Sequence, residues 1–379
     1  MSPKIVIIGA GPAGLTLGRI LHVNSIPFII YDLAASSTSS PQGGTLDLHA
    51  QTGQLALKEA GLFSQFEAAS RTEGEDMIIS SRDGVRHVEV LDTDRGRPEI
   101  DREFLRKMLL DSFPAENIKW NHKLLSCTAT TATFANGHLE KDIDLLVGAD
   151  GAWSKVRPLM TYVPPFYSGI SCVEFRHYDA DMKHPQVAKT IGKGNHFVFG
   201  ESTRKCLLSQ RMGDGSLRTY AAIHKPEHWL KECGIDWSNT NAAKKQLLEE
   251  YDDFAPEFKK MIEDAEEDSM PTRPLYMLPV GLSWPSHRSA TLIGDSAHLM
   301  TPFAGEGVNA AMRDAYELAL AIKESKEDVA AAVKMYESSM FPRMTQVTTK
   351  TWNSLMLRFR EGGIANMKKR VEKSMTQKG

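Results

Sequence analysis

Three glycines near the N-terminus have the spacing of a phosphate-binding turn. Gly9, Gly11 and Gly14 follow the apolar run Ile5–Ile8 and open a segment with the apolar pattern of a helix. In such a turn the first glycine permits the bend, the second lets the backbone approach a pyrophosphate, and the third lets helix and strand pack closely. Asp32 stands eighteen residues beyond Gly14, where a carboxylate suits a ribose 2′-hydroxyl and disfavours a 2′-phosphate. The segment therefore predicts binding of FAD or NAD rather than NADP.

A second group of residues, near position 300, decides between these two. A strand-like run ends at Gly294, and Asp295 follows it. A glycine-rich turn at 302–307 then leads into a predicted helix. A carboxylate suits ribityl hydroxyl groups, and a helix N-terminus suits the negative charge near N1 of a reduced isoalloxazine. Since NAD needs neither feature, the sequence predicts FAD.

His298 lies three residues beyond Asp295, and a histidine can serve as a metal ligand or a general base. No second ligand stands at ligand spacing, so we predict a structural, hydrogen-bonding histidine and no metal. The four cysteines, at positions 127, 172, 206 and 233, contain no CxxC pair. A disulfide framework and a zinc ribbon are therefore not expected.

Composition excludes further classes of protein. Lys and Arg number 45 against 48 Asp and Glu, a net charge of −3, which argues against nucleic-acid binding through a general positive field. No apolar run approaches the ~20 residues that span a bilayer. The N-terminus shows no secretory signal pattern. We expect a cytoplasmic protein with no nucleic-acid or membrane partner.

The elements around these motifs predict an α/β fold with two domains. Short turns separate the strand-like runs at about 165–225, a pattern typical of an antiparallel sheet. We expect a discontinuous FAD-binding domain, an inserted α+β substrate domain and a C-terminal helix that bridges them. The predicted segments are 1–70, 95–160 and 285–325 for the FAD-binding domain, 71–94 and 161–284 for the substrate domain, and 326–379 for the C-terminal helix and tail.

Three motifs in this order resemble the fingerprints of a known family. Residues 9–14, residues 148–157 around Asp150, and residues 292–309 around Asp295 resemble those of the group A flavoprotein monooxygenases, the para-hydroxybenzoate-hydroxylase type. The resemblance spans roughly residues 4 to 325 and implies a Rossmann-like FAD-binding domain of the GR2 type. Within that group, residues 43–49, 98–106 and 294–309 are most similar to tetracycline-inactivating monooxygenases of the TetX type.

The resemblance assigns residues to the cofactor. It implies that Asp47, Arg102 and Asp295 contact FAD. The full predicted cofactor set is Gly9, Gly11, Ala13, Gly14, Asp32, Gly44, Asp47, Arg102, Asp150, Asp295, Pro302, Gly305, Gly307, Val308 and Asn309. Arg106 lies one helical turn from Arg102, and both a cofactor contact and a surface ion pair are open for it. TetX-type enzymes have an arginine before residues 43–45 that is implicated in contact with NADPH; this chain has residues 37–41 there, so the docking of NAD(P)H is open.

The resemblance also implies a reaction. NADPH or NADH would reduce FAD, dioxygen would add at flavin C4a, and the resulting hydroperoxide would transfer one oxygen atom to the substrate. Because the flavin carries this chemistry, no catalytic side chain is implied. We expect a monomer acting on an aromatic or polycyclic small molecule.

For the substrate, we expect the sheet of the second domain to face the flavin. Arg218 and Tyr220 alternate on one predicted strand and so share a face. The predicted substrate residues are Glu174, His196, Ser209, Arg218, Tyr220, Phe303 and Met356, and ordinary packing is the alternative for each. The first four align with positions that grip tetracycline in TetX-type enzymes, but none keeps the residue type found there.

Several functions are therefore open. Hydroxylation of a polycyclic or phenolic compound is the first, with inactivation of tetracycline-type antibiotics as one form of it. A monooxygenase of aromatic polyketide secondary metabolism and a non-catalytic FAD protein that sequesters a ligand are the alternatives. Five of the six tryptophans, at positions 153, 229, 237, 284 and 352, lack the WxWxIP context of a flavin-dependent halogenase.

Overall fold

A computed structural model describes residues 2–39, 43–266, 270–326 and 328–376. The chain divides into two compact units, each assembled from three stretches. Unit 1 comprises Met1–Ser70, Arg102–Phe166 and Tyr276–Trp352, and unit 2 comprises Arg71–Asp101, Tyr167–Leu275 and Asn353–Gly379.

The strands of the described chain are short in unit 1 and longer in unit 2. In chain order they are β1 Ile5–Ile8, β2 Phe28–Tyr31, β3 Thr45–Asp47, β4 Met77–Ser81, β5 Arg86–Val90, β6 Glu99–Asp101, β7 Ile118–Lys119, β8 Leu124–Cys127, β9 Ala132–Phe134, β10 Leu139–Glu140, β11 Leu145–Gly148, β12 Phe166–His177, β13 Asn195–Phe199, β14 Lys205–Arg211, β15 Leu217–His224, β16 Thr272–Met277 and β17 Ala290–Leu292.

The α-helices become longest toward the C-terminus. They are α1 Pro12–Val23, α2 Gly53–Glu59, α3 Phe63–Ala69, α4 Arg102–Leu110, α5 Ala180–Lys183, α6 Pro185–Ile191, α7 Trp229–Glu232, α8 Thr240–Glu250, α9 Pro256–Glu263, α10 Asp295–His298, α11 Gly307–Glu324, α12 Val329–Arg358 and α13 Gly363–Thr376. Single turns of 3-10 helix occupy Glu73–Glu75, Ala115–Asn117, Arg157–Leu159, Glu201–Thr203 and Pro302–Ala304.

Unit 1 is built on a five-stranded sheet in the order β17-β11-β1-β2-β7, in which all neighbouring pairs are parallel. All four residues of β1 are buried, as expected for a parallel strand covered on both faces. Because parallel strands end at the same edge, the residues that follow β1, β2, β11 and β17 meet there. Gly9, Asp32, Asp150 and Asp295 all come from this edge.

Unit 2 is built on a seven-stranded sheet in the order β16-β12-β15-β14-β13-β4-β5. The pairs β12–β15, β15–β14, β14–β13 and β4–β5 are antiparallel, whereas β13 and β4 are parallel. One face packs against α6, α8 and α9 around an apolar core that includes Val173, Leu207 and Phe258. The predicted α/β class and the predominantly antiparallel sheet are confirmed.

The C-terminal region differs from the predicted helix and tail at 326–379. It forms two helices, because α12 ends at Arg358 and the chain turns sharply: a Cβ at Gly363 would lie 2.0 Å from the carbonyl oxygen of Leu357. Ile364, at the start of α13, is buried. Residue 327 and residues 377–379 of the predicted segment lie outside the described residues.

The two units also divide the chain differently from the predicted domains. The stretch predicted as 71–94 extends to Asp101, and the region after 326 belongs to both units, because the division falls within α12 after Trp352. Among the described residues, no helix has the length and apolar character that crossing a membrane requires.

Candidate functional site

The turn after β1 has the geometry that its glycines predict. Gly9 has a φ of +111°, and a Cβ there would lie 2.3 Å from the carbonyl oxygen of Ala149. A Cβ at Gly14 would lie 2.0 Å from the carbonyl oxygen of Gly9, whereas at Gly11 it would meet nothing within 4 Å. No side chain caps the first turn of α1. Two glycines thus permit close packing, and Gly11 leaves open space before a helix N-terminus that can hold phosphate.

Asp32 lies beside this turn. Its Oδ2 accepts a hydrogen bond from the Ala10 amide at 2.6 Å, and its Oδ1 accepts one from the Ala34 amide at 2.8 Å. A carboxylate oxygen accepts two hydrogen bonds, so each oxygen can also accept from a ribose hydroxyl. The hydrogen bonds from the two backbone amides therefore orient the Asp32 carboxylate toward a ribose hydroxyl.

Arg106 also approaches Asp32. Its guanidinium lies 5.5 Å from the centre of the Trp120 ring and donates to the carbonyl oxygen of Ser37. Burial lowers the pKa of Arg106, and the charge of Asp32 opposes that shift. Arg106 forms no ion pair with any residue that the structure describes, so the surface ion pair left open by the sequence is absent from that part of the chain.

The carboxylate of Asp295 faces open space. The side chain is exposed, and within the described residues no hydrogen bond or ion pair reaches its carboxylate. Surrounding protein raises the pKa of Asp295, while the nearby His298, Arg102 and Arg157 oppose the shift. An unbonded carboxylate at the rim of a cationic region fits a ligand that brings hydroxyl donors, as a ribityl chain does.

A fully buried acid, Asp314 on α11, holds the turn that carries Asp295. Its Oδ2 accepts from the Gly294 amide at 2.8 Å and also contacts Nε2 of His298, and its Oδ1 accepts from Arg343 at 2.8 Å. Burial would raise the pKa of Asp314, but the charges and hydrogen bonds of His298 and Arg343 hold it below its ordinary value. The predicted structural role of His298 is confirmed by this contact.

Asp150 uses its carboxylate within the protein. Its Oδ1 accepts from the hydroxyls of Ser154 and Ser296 at 2.5 and 3.1 Å, and its Oδ2 accepts from the amides of Lys155 and Val156 at 2.6 and 3.4 Å. Four donors fill the acceptor sites of a carboxylate. Asp150 therefore joins the turn after β11 to the turn after β17, and its predicted contact with the cofactor stays a prediction.

Arg157 strengthens the same junction. Its buried guanidinium donates to the carbonyl oxygens of Ser296 at 2.8 Å and Ala152 at 2.7 Å. Burial lowers the pKa of Arg157, and the charges of Asp150 and Asp295 oppose the shift. The sequence placed this arginine inside the second fingerprint but assigned it no role.

The segment before α11 keeps a second helix N-terminus open. A Cβ at Gly307 would meet nothing within 4 Å, and Glu306 at the N-cap makes no capping hydrogen bond through its side chain. The position of a Cβ at Gly305 lies 3.3 Å from Oδ1 of Asp47. Oδ2 of Asp47 lies 3.0 Å from Nε2 of His49. Asp47 thus borders the glycine-rich turn, beside a helix N-terminus that suits negative charge.

Asn309, on the first turn of α11, forms hydrogen bonds within unit 1. Its buried Oδ1 accepts from the His49 amide at 2.8 Å and the Thr52 hydroxyl at 2.9 Å, and its Nδ2 donates to the Asp47 carbonyl at 2.8 Å. These bonds tie the segment after β3 to α11. The side chain therefore positions this loop, and its predicted contact with the flavin stays a prediction.

The other predicted cofactor residues lie in unit 1 around these turns. Gly43 packs against Arg102, since a Cβ there would lie 2.3 Å from Nε of that arginine. The methyl group of Ala13 lies 3.2 Å from where a Cβ at Gly294 would stand. Gly44 is buried, and Pro302 and Val308 flank the glycine-rich turn. Phe303, a predicted substrate residue, is also buried there, and its contact with substrate stays a prediction.

The predicted substrate residues of unit 2 fall on two faces of its sheet. Glu174, Arg218 and Tyr220 point away from α6, α8 and α9, on a face that we call the arginine face. His196 and Ser209 are register partners on the opposite, helix-covered face. Because successive side chains of a strand point to opposite faces of the sheet, His196 and Ser209 lie on a different face from the other three predicted residues.

His196 packs as a core histidine. Its Nε2 contacts the Ser80 hydroxyl at 2.8 Å, its Nδ1 contacts the Thr190 carbonyl oxygen at 2.8 Å, and its ring meets that of Phe258. Burial lowers the pKa of His196 to about 4. Ser209 is equally buried and bonds the Thr219 hydroxyl at 3.0 Å. His196 and Ser209 therefore lie on the face opposite Arg218. Their predicted contact with the substrate stays a prediction, as does that of Met356, which is half-buried on α12.

The comparisons with known proteins agree with this site. The family described as "FAD binding domain" matches residues 3–351, and the chain belongs to that family. "Monooxygenase asqM" of Emericella nidulans is 32% identical over 94% of this chain and 96% of its own length. "Monooxygenase penA" of Penicillium thymicola is 30% identical over 95% of this chain and 96% of its own length.

Solved structures share the fold at low sequence identity. They include Klebsiella pneumoniae HpxO complexed with FAD and uric acid, with a TM-score of 0.77, 18% identity and coverage of 94% of this chain and 89% of that one. Salicylate hydroxylase in a substrate complex has a TM-score of 0.76 and 18% sequence identity, and tetracycline destructase Tet(51) has a TM-score of 0.69 and 19% identity. Each of these two matches covers 99% of this chain and 95% of the other chain. The resemblance to group A flavoprotein monooxygenases is confirmed.

Replacing Asp295 tests the open carboxylate. In Asp295→Ala we expect the dissociation constant of FAD to rise by about tenfold or more, because hydrogen bonds to a charged acceptor are lost. Asp111→Ala, an exposed acid on the same unit, is the matched control. Titration of apoprotein followed by flavin fluorescence measures both variants. Wild-type affinity in Asp295→Ala would remove the ribityl assignment.

Replacing Asp314 tests the buried support. Asp314→Asn keeps the volume but removes the charge that pairs with Arg343, so we expect a loss of about 3 kcal/mol of stability and weaker FAD binding. Glu317→Gln is the control, because Glu317 also bonds Arg343 at 2.8 Å but does not reach Gly294. Thermal unfolding with and without FAD separates the two effects. Equal FAD affinity in the two variants would contradict the role of Asp314.

Proposed function

We propose that this protein is an NAD(P)H-dependent FAD monooxygenase that hydroxylates an aromatic or polycyclic small molecule. One observation of unit 1 carries the proposal: Gly294, next to the unbonded carboxylate of Asp295, packs against both Ala13 of α1 and Ala311 of α11, two helices whose N-termini lack side-chain caps. Phosphate and reduced flavin are negatively charged and suit helix N-termini, while ribityl hydroxyls suit the carboxylate.

The residues present would hold FAD along its length. Asp32 and the start of α1 suit the ribose and pyrophosphate, Asp295 suits the ribityl chain, and the start of α11 suits the ring. Bound FAD would supply the oxygen and hydride chemistry. The chain's own residues bind the cofactor, orient it and keep the turns around it fixed.

The overall reaction balances without a further co-reactant. One NAD(P)H, one proton, one dioxygen and one substrate give NAD(P)⁺, water and a product carrying one more oxygen atom. The face of unit 2 that holds Glu174, Arg218 and Tyr220 is proposed to contact the substrate. A monomeric, cytoplasmic enzyme is part of the same proposal.

The identity of the substrate is proposed only as a class. Tetracycline-type compounds belong among the candidates because a tetracycline destructase shares the fold. Four residues of this chain align with the tetracycline-binding positions of TetX-type enzymes. Two of them, His196 and Ser209, lie on the helix-covered face, which favours a different polycyclic or phenolic compound. The alternative is a monooxygenase of aromatic polyketide secondary metabolism, and the relatives from Emericella nidulans and Penicillium thymicola, both named monooxygenases, support the monooxygenase activity common to both candidates.

A screen of NAD(P)H oxidation tests the proposal. The holoenzyme is mixed with tetracyclines, anthraquinones or simple phenols, and both nicotinamide coenzymes are compared. We expect at least one compound to stimulate oxidation and to yield a product heavier by one oxygen atom. Tight ligand binding with no stimulated oxidation would favour the alternative, a non-catalytic FAD protein that sequesters its ligand. Colourless protein that binds no FAD would overturn the proposal.

A further inference from the structure

A group of titratable side chains borders the glycine-rich turn of unit 1. His49, which follows β3, lies between two carboxylates: its Nε2 is 3.0 Å from Oδ2 of Asp47, and its Nδ1 is 3.8 Å from Oε2 of Glu306. Lys350 of α12 contacts the other oxygen of Glu306. We call Asp47, His49, Glu306 and Lys350 the His49 cluster. Two acids and one lysine give the cluster a net negative charge while the imidazole is neutral.

The contacts of His49 assign the proton of its neutral ring to Nε2. A carboxylate accepts hydrogen bonds and donates none, so the contact with Asp47 requires an N–H at Nε2. A neutral imidazole carries only one proton, and Nδ1 is then an unprotonated nitrogen that faces the carboxylate of Glu306. A second proton, at Nδ1, would turn this contact between two acceptors into an ion pair. Nδ1 is therefore a position prepared to bind a proton.

The His49 cluster is held in place and largely shielded from solvent. The side chains of His49 and Glu306 are only 14% and 11% exposed. The His49 amide donates to Oδ1 of Asn309 at 2.8 Å, and Nδ2 of Asn309 donates to the Asp47 carbonyl at 2.8 Å. Charges interact more strongly where water is excluded, so a proton gained at Nδ1 changes the electrostatic potential around the start of α11.

Two arginines stand on elements that adjoin the segment of His49. Nε of Arg313, on α11, bonds Glu317 at 2.7 Å, and its Nη1 donates to the Gln51 carbonyl at 3.2 Å. Arg102, at the start of α4, packs against Gly43, which precedes β3. Lys350 thus supplies positive charge within the cluster, and the two arginines contribute positive charge beside it.

The cluster lies where negative charge is expected to appear. Glu306 is the N-cap residue of α11, and Oδ1 of Asp47 is 3.3 Å from the position of a Cβ at Gly305. A Cβ at Gly307 would meet nothing within 4 Å. The flavin ring is proposed to lie at this helix N-terminus, and it becomes negatively charged when a hydride reduces it. A cluster with neutral His49 would repel that charge, whereas an imidazolium would remove the repulsion.

We propose that His49 binds one proton at Nδ1 when the bound flavin is reduced and releases it when the flavin is oxidised again. The hydride of NAD(P)H brings two electrons and one proton to the flavin, which gains one negative charge. One solvent proton binds Nδ1 of His49, balances that charge and completes the ion pair with Glu306. The inference rests on the proposed function, because it requires FAD at the start of α11.

The midpoint potential of the flavin in the holoenzyme, measured between about pH 6 and 7 where histidine changes charge, tests the proposal. Each proton taken up changes the equilibrium constant of reduction tenfold per pH unit, which is about 30 mV for a two-electron couple. The hydride and His49 together account for two protons. We therefore expect the wild-type potential to fall by about 60 mV per pH unit.

Three variants assign the second proton. His49→Gln keeps an amide N–H that can donate to Asp47 but has no proton site, so its potential should fall by only about 30 mV per pH unit. Glu306→Gln removes the partner of the imidazolium and should shift the slope toward the same value. His22→Gln is the matched control and should keep the wild-type slope, because His22 is an exposed histidine in the last turn of α1 of the same unit.

The absorption spectrum of the reduced flavin is recorded at each pH, because neutral and anionic reduced flavins absorb differently. This measurement distinguishes a proton on the flavin ring from a proton on His49, which a purely structural role of His49 would not require. If His49→Gln fails to retain FAD, the wild-type slope and Glu306→Gln carry the test.

The outcomes separate this inference from the proposed function. A wild-type slope of one proton, equal slopes in wild type and His49→Gln, or a neutral reduced flavin in the wild type would overturn the inference. Failure of the proposed function looks different: the slopes would differ as expected, yet no compound would stimulate oxidation of NAD(P)H or gain an oxygen atom. Protein that binds no FAD would overturn both.

Discussion

The buried carboxylate of Asp314 is the constraint on which the arrangement of unit 1 depends. A charge without exposure is costly unless it is fully paired, and Asp314 meets that demand with Arg343, His298 and the Gly294 amide. Its pairing fixes the path of the chain after β17. The turn after β17 in turn fixes the turn after β11. The Ser296 hydroxyl donates to the Asp150 carboxylate, and the Ser296 carbonyl oxygen accepts a hydrogen bond from Arg157.

The acids of this region consequently divide into two kinds. Asp314 and Asp150 have their acceptor sites filled by the protein and hold turns together. Asp295 is left unbonded in an environment crowded enough to raise its pKa. Asp32 is intermediate, because each oxygen accepts one backbone amide and keeps a second acceptor site. Asp295, the carboxylate proposed to contact the ribityl chain, thus lies on a turn that Asp314 and Asp150 hold in place.

Much of this fold could be predicted from the sequence. The apolar run of β1 and the spacing of Gly9, Gly11 and Gly14 indicate a strand, turn and helix, and parallel strands must deliver their following residues to one edge. The sequence also contains a signal for Asp314, because Ala310 and Leu318, four residues before and after it, place this acid on the apolar face of the helix. A charge at such a position requires a buried partner.

Other features depend on contacts that a linear pattern does not contain. The roles of Asp150 and Asn309 follow from donors far away in the chain, Ser296 and the His49 amide. Alternation along one strand correctly placed Arg218 and Tyr220 on one face, but comparing His196 with Arg218 requires the register across β14. The second C-terminal helix, α13, depends on the tight turn at Gly363, after which the chain becomes helical again.

The central claim is that unit 1 holds FAD along its whole length, with Asp32 and α1 at the adenosine half and Asp295 and α11 at the flavin half. Titration of the apoprotein with FAD and with FMN tests it most directly, because FMN keeps the flavin half and lacks the adenosine half. Hydrogen bonds to Asp32 and to the α1 N-terminus should make FAD bind about a hundredfold more tightly than FMN. Equal affinities for the two flavins, or no binding of either, would contradict the account.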